Sequence, residues 1–366
     1  MKSSASRLAW LDWVRGAAAI TMLQGHVFDS FLRKDLKTQG PFQFSQFVGG
    51  MPPAVFLFLL GVTFAFLMDS LERKGLGAAV RVRGSLRRAG YLFAVAFAFR
   101  LQMWIVAFDQ KPWTDMLRVD VLNNMGMALL VFSAMAVFST LERIRLCAVL
   151  GLAIAFASPL ISGLAWAGTP EILRNYIIPD YRYFGFFPWA AFVAFGMSFG
   201  SVLRRLKPED EPAAMQWAGW GGTVICFAGL FFANTPLTTY SNSDFWLNSP
   251  SLVLIKTGVV LMLIPFAWVW QRGGGTLGSA EREKWSWVRQ FGVTSLLVYW
   301  VHIEVVYGRE LGVLKETLTL PQTIAMAVAI ILLMLGISLL RTNWDAVRRE
   351  LRPGTYRKPL PHGDRQ

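Results

Sequence analysis

Residues 8–31 read LAWLDWVRGAAAITMLQGHVFDSF, and this stretch decides how the rest of the chain is understood. It is apolar over most of its length and, as a helix, long enough to cross a hydrocarbon core of about 30 Å. It also carries Asp12, Arg15, His26 and Asp29, which lipid alone would not tolerate. No small-residue cleavage pattern follows it, so it reads as a retained membrane helix and not as a signal peptide.

Nine further segments have the same apolar length, near 50–71, 88–108, 119–141, 146–166, 184–204, 214–234, 248–270, 288–308 and 319–341. Pro159 and Pro188 interrupt the fifth and sixth of the ten. Composition agrees: 54% of the 366 residues are hydrophobic and 16% charged, against about 25% charged in soluble domains. The expected fold is all-α, a polytopic integral membrane bundle of about ten transmembrane helices. Residues 1–345 form one transmembrane domain, and 346–366 a basic, disordered cytoplasmic tail.

The net charge of +13 raises nucleic acid as a partner, but the distribution of charge removes it. Of the 36 basic residues, 24 fall in the termini and alternate loops of one side and 9 in the loops of the other. Arg15, Arg100 and Lys256 remain inside spans. Such an asymmetry places both termini in the cytoplasm, which in a bacterium means the inner membrane. The bilayer is the expected partner, and a homo-oligomer is compatible with the sequence. Cys147 and Cys226 lie in apolar stretches without ligand-like spacing, so neither a disulfide nor a metal is expected.

Ionisable groups within the spans carry the functional argument. Arg15 and His26 are eleven residues apart, about three turns, and share one face of the first helix. Asp12 lies one turn before Arg15 and Asp29 one turn after His26, each within side-chain reach. The helix thus offers an Arg–Asp pair toward the cytoplasm and a His–Asp pair deeper. Imidazole suits the removal of a proton from an attacking hydroxyl or amine, and Asp29 is expected to orient the ring as a triad carboxylate does.

His302 sits at a similar outer depth in the ninth span, near Tyr299, and is expected to share a cavity with His26. Arg100 is expected to meet a cofactor phosphate or a carboxylate such as Asp12. Lys256 is expected to snorkel outward. Asn123 and Asn124 enter the fourth span from outside, where an amide holds a sugar hydroxyl or a developing oxyanion. Arg81, Arg83, Arg87 and Arg88 cluster at the cytoplasmic mouth of the third span and would attract phosphates.

Leu11-Asp12-Trp13-Val14-Arg15-Gly16, followed by His26 after ten intervening residues, resembles the leading motif of a superfamily of multi-spanning membrane acyltransferases. It comprises the acyltransferase 3 and heparan-alpha-glucosaminide N-acetyltransferase-like proteins. Phe56 to Gly61, Phe187-Pro188-Trp189 with Gly196, and Ser295 to His302 resemble further motifs of that group, in order over about 300 residues. Leu60 stands where many acyltransferase 3 members carry Ser, which favours the N-acetyltransferase-like branch. Asn123-Asn124 stands where relatives more often show Gln or His.

The resemblance implies acetyl-CoA or another acyl-CoA as a co-substrate bound from the cytoplasm, with no tightly bound cofactor. It implies transfer to an extracytoplasmic glycan or sugar acceptor, with His26 as the catalytic residue assisted by Asp29. Cofactor-binding roles fall to Arg15, Asp12, Arg100 and Arg88, and substrate-binding roles to His302, Asn123, Asn124 and Tyr299. A transporter for an anion or a proton-coupled solute, and a non-enzymatic partner of an envelope export complex, are the competing classes at this point.

Overall fold

A computed structural model describes residues 9–106, 112–235, 240, 243–272 and 285–344. The N-terminal residues 1–8, the glycine run 273–275 and the tail from 345, with His362, lie outside the described residues. Those described are overwhelmingly helical; no strand occurs among them, only an isolated bridge between Leu32 and Leu318.

In chain order the helices are α1 (Ala9–Phe31), α2 (Gly40–Gly49), α3 (Pro52–Arg73), α4 (Ala78–Val106), α5 (Val121–Phe132), α6 (Thr140–Gly163), α7 (Glu171–Ile177), α8 (Phe186–Arg205), α9 (Glu211–Ala233), α10 (Pro250–Arg272), α11 (Trp287–Val293), α12 (Ser295–Tyr307) and α13 (Leu320–Thr342). Six stretches are long and apolar enough to cross a membrane by themselves: α2 with α3, then α4, α6, α8, α10 and α13. Their outward faces carry large exposed apolar side chains such as Ile105, Val269 and Leu332, as expected of an integral membrane protein.

All ten expected segments are occupied by helix, with informative differences at the ends. Helix α4 begins at Ala78, ten residues before the expected span, so Arg81, Arg83, Arg87 and Arg88 lie on its surface and not in a loop. The ninth segment is split at Thr294 into α11 and α12. Pro188 does not interrupt a helix: Phe187 is extended, and the helical run of α8 follows it. Pro159 does lie inside α6.

Packing follows the logic of apolar helices in lipid, where small residues let backbones approach. At Gly61 of α3 an added Cβ would strike the Val193 carbonyl, and at Gly196 of α8 it would strike that of Phe58. The resulting close pair anchors the largest apolar cluster, including Leu57, Phe58, Phe192 and Met197. A second cluster joins α1 to α12 and α13 through Leu23, Val27, Val298 and Met334. Between these clusters, the C-terminal ends of α1, α4 and α12 and the start of α5 leave a polar cavity.

Candidate functional site

The site starts with α1. His26 lies five residues before the helix end, and next to it Gly25 meets Gly49 of α2 so closely that a Cβ on either would stand 2.7 Å from the other's Cα. Two polar contacts fasten the crossing: Gln24 to Ser45, and Gln46 Nε2 to the Gly25 carbonyl at 3.1 Å. Helix α2 is thereby pinned against the turn of α1 that presents His26.

The imidazole is held from behind by the one in α12. His26 Nδ1 and His302 Nε2 are 2.9 Å apart, with the rings stacked at 5.1 Å and inclined by 16°. His302 Nδ1 lies 2.8 Å from the Val298 carbonyl. A carbonyl only accepts, so Nδ1 of His302 bears the proton, and a neutral His302 then offers Nε2 as an acceptor. His26 must donate from its own Nδ1, which leaves the lone pair of His26 Nε2 unspent. His302 is fully buried, and among the described residues no carboxylate hydrogen-bonds to it, so a charge there would lack compensation.

His26, Asp29, Arg100, Asp120, Tyr299 and Tyr307 all line a cavity of about 580 Å³. Tyr307 packs edge-on to His26 at 5.5 Å, and its hydroxyl donates to Asp29 Oδ2 at 3.0 Å. Arg100 Nε pairs with Asp120 Oδ2 at 3.0 Å, both side chains nearly buried. Asp120 also caps α5 through Oδ1, which accepts from the amides of Leu122 and Asn123. That double duty holds a nearly buried guanidinium in place with its charge compensated.

Several sequence expectations change place. The hydrogen bond expected between Asp29 and the His26 imidazole is made instead between His26 and His302; Asp29 Oδ2 accepts from the hydroxyl of Tyr307, whose ring packs against His26. His302 itself stands behind His26 and does not line the cavity. Arg100 finds Asp120 and not Asp12, since it lies in the last two turns of α4, beside the start of α5.

Asn123 and Asn124 are also absent from the wall. Asn123 accepts from the Asp120 amide and donates to the Tyr176 hydroxyl; Asn124 donates to the Phe184 carbonyl at 2.9 Å and to that of Gly185. Both side-chain amides donate to protein groups. Tyr299 does line the cavity and packs against His302.

Arg15 and Asp12 form the expected pair at 3.3 Å, about 16 Å along α1 from His26. Arg88 is exposed on α4 and stacks over Tyr91 at 5.4 Å. Lys256 does not snorkel: it donates to the Gly50 carbonyl at the α2–α3 elbow, 3.0 Å away, and faces the Trp189 ring. Three cavity groups escaped the sequence reading. Asp120 was signalled by Asp120-x-x-Asn123 ahead of an apolar run; Arg118 and Arg182 sit in loops without a periodic signal.

Among the described residues no group of three His, Cys, Asp or Glu side chains is placed to hold a metal ion. The model of the heparan-alpha-glucosaminide N-acetyltransferase catalytic family matches residues 7–232. A search of curated proteins finds no match.

Proposed function

Because the chain belongs to the heparan-alpha-glucosaminide N-acetyltransferase catalytic family, we propose that it moves an acetyl or other acyl group from cytoplasmic acyl-CoA to a glycan on the far side of the membrane. The observation that carries this reading is the His26–His302 hydrogen bond, which frees Nε2 of His26 inside the cavity. An imidazole held in one tautomer with Nε2 unprotonated can take a proton as a general base.

In the proposed step, Nε2 takes the proton of an acceptor hydroxyl or amine as its oxygen or nitrogen attacks the thioester carbonyl. The C–S bond breaks, an ester or amide forms, and the departing thiolate recovers the proton from the imidazolium. The Arg100 guanidinium stands at the same cavity for the negative charge that develops on the carbonyl oxygen. Tyr307 and Asp29 keep the exposed face of His26 in place. Arg15 and Asp12 lie on the donor side of the same helix.

This reading includes ten membrane crossings, with both termini on the cytoplasmic face of a bacterial inner membrane. It is supported by the helices at all ten expected positions and by the loop charges. The test uses membranes supplied with radiolabelled acetyl-CoA: envelope glycans gain label with the native protein and lose it with His26→Ala. Equal labelling in both rejects the role of His26.

A further inference from the structure

One wall of the cavity beside His26 is the elbow between α2 and α3, where Gly49, Pro53 and Phe56 line it. The chain there reads Gly49-Gly50-Met51-Pro52-Pro53, and Gly50 closes α2. Proline carries no N–H, so the Gly50 carbonyl has no backbone donor two or three residues on. Its donor comes from another helix: Lys256 Nζ of α10 lies 3.0 Å away.

Lys256 is 8% exposed, and among the described residues no carboxylate pairs with it. What its charge meets instead is the negative end of α2 and the face of Trp189, whose ring centre is 5.0 Å away. Trp189 in turn packs on Phe184 at 5.1 Å, and Phe184 lines the same cavity. One ammonium therefore ties two parts of the cavity wall to α10 without itself lining the cavity. The elbow also bears on His26, because Gly49 meets Gly25 of α1 with no room for a Cβ on either.

Folding stability gives this position no reason to be charged. A charge buried without an ionic partner opposes folding. Methionine has a similar length and no charge. With it the Gly50 carbonyl loses its donor, but that loss costs less than a buried charge without an ionic partner. What the ammonium adds is a directed hold on the elbow and on Trp189.

Building on the acyl-transfer reading above, we infer that Lys256 is a positioning residue for the acceptor, holding the α2–α3 elbow and, through Trp189, Phe184 at the separation that admits the acceptor beside His26. Its contacts are with that wall and not with the Arg15–Asp12 pair on the donor side.

Steady-state transfer from radiolabelled acetyl-CoA to glucosamine by purified Lys256→Met and Lys256→Arg tests this. The Met variant is expected to lose at least about tenfold in kcat/KM for glucosamine, with KM for acetyl-CoA unchanged and the melting temperature equal to the native value or higher. Arginine also donates to a carbonyl and stacks on an aromatic face, so Lys256→Arg should recover part of the loss.

Pulsed EPR follows the elbow without turnover, between spin labels at Gly40→Cys and Val313→Cys with Cys147 and Cys226 replaced by alanine. Gly40 stands at the open start of α2, about 14 Å from Gly49, and Val313 is 90% exposed. Adding Lys256→Met should shift or broaden the distance distribution. An unchanged distribution, glucosamine kinetics equal to native, or equal kinetics in the Met and Arg variants overturns the inference. So does a Met variant that melts well below native, which would make Lys256 a structural residue. If native protein transfers no label to glucosamine, the enzymatic reading falls, while the distance distribution and the melting temperature still decide whether Lys256 holds the elbow.

Discussion

His302 and His26 form a hydrogen-bonded pair in which the buried ring fixes the proton of the other: Nε2 of His302 lies 2.9 Å from Nδ1 of His26, and its own Nδ1 is committed to the Val298 carbonyl. Replacing His302 with Phe keeps an aromatic ring behind His26 but removes the acceptor. In a serine protease triad, loss of the correct tautomer costs about 10⁴-fold in kcat; with the stacking kept here, we expect about 10²-fold or more, with KM little changed. His302→Gln, whose amide oxygen accepts, should recover part of the rate. Steady-state acetyl transfer by the purified variants checks both, and identical kcat values for Phe and Gln would contradict the tautomer argument.

Asp120 has two jobs that substitutions can separate. Asp120→Asn keeps an oxygen for the amides of Leu122 and Asn123 but removes the charge that compensates Arg100. Asp120→Ala removes both. Losing one partner of a buried pair costs about 3–5 kcal/mol, and losing an N-cap adds about 1 kcal/mol. Thermal unfolding in detergent should therefore order the proteins native, Asn, Ala; an Ala variant as stable as the Asn variant would show that the cap contributes nothing.

The crossing of α1 and α2 has no room for a methyl group. Gly49→Ala places a Cβ 2.7 Å from the Cα of Gly25, so α2 must move away from the turn that carries His26. A misplacement of about 1 Å can cost about 10²-fold in rate, and we expect kcat to fall much further than the melting temperature. Gly40→Ala, at the open start of α2, meets nothing and serves as the control for the same pair of measurements.

Outside the membrane, Glu316 is flanked by Lys34 at 3.0 Å and Lys37 at 3.1 Å, and their hydrogen bonds hold its carboxyl below the usual glutamate range. A depressed carboxyl stabilises the fold above its unfolded pKa and loses that contribution as pH falls through the folded value. The melting difference between native protein and Glu316→Gln should thus be present at pH 7 and vanish on acidification through and below pH 4. A difference that grows with acid would reverse the sign and contradict the assignment.

Helix positions were legible because lipid demands long apolar runs, but two elements escaped for physical reasons. The arginine-bearing turns that begin α4 look like loop, although Arg81 is satisfied there by the Val137 carbonyl and lies near Glu72. Nothing in Val293-Thr294-Ser295 announces a break, as neither proline nor a run of polar residues marks it.

In the site, the shared depth of His26 and His302 was readable from periodicity and topology, whereas the direction of the hydrogen bond between them was not. Arg143 shows the limit most clearly. Counted with the loop charges, it is fully buried and bonded to Thr140, to the Phe138 carbonyl and to Glu72, and the last of these, 71 residues away, is a contact that no local pattern encodes.

The central claim is that the His26 imidazole performs transfer across the membrane. Proteoliposomes with radiolabelled acetyl-CoA on the face bearing Arg81 and Arg143, and glucosamine-terminated glycan on the other, measure it directly. Native protein is predicted to label the glycan, and His26→Ala to do so at least about 10³-fold more slowly with its melting temperature retained. Labelling by His26→Ala at the native rate would contradict the account.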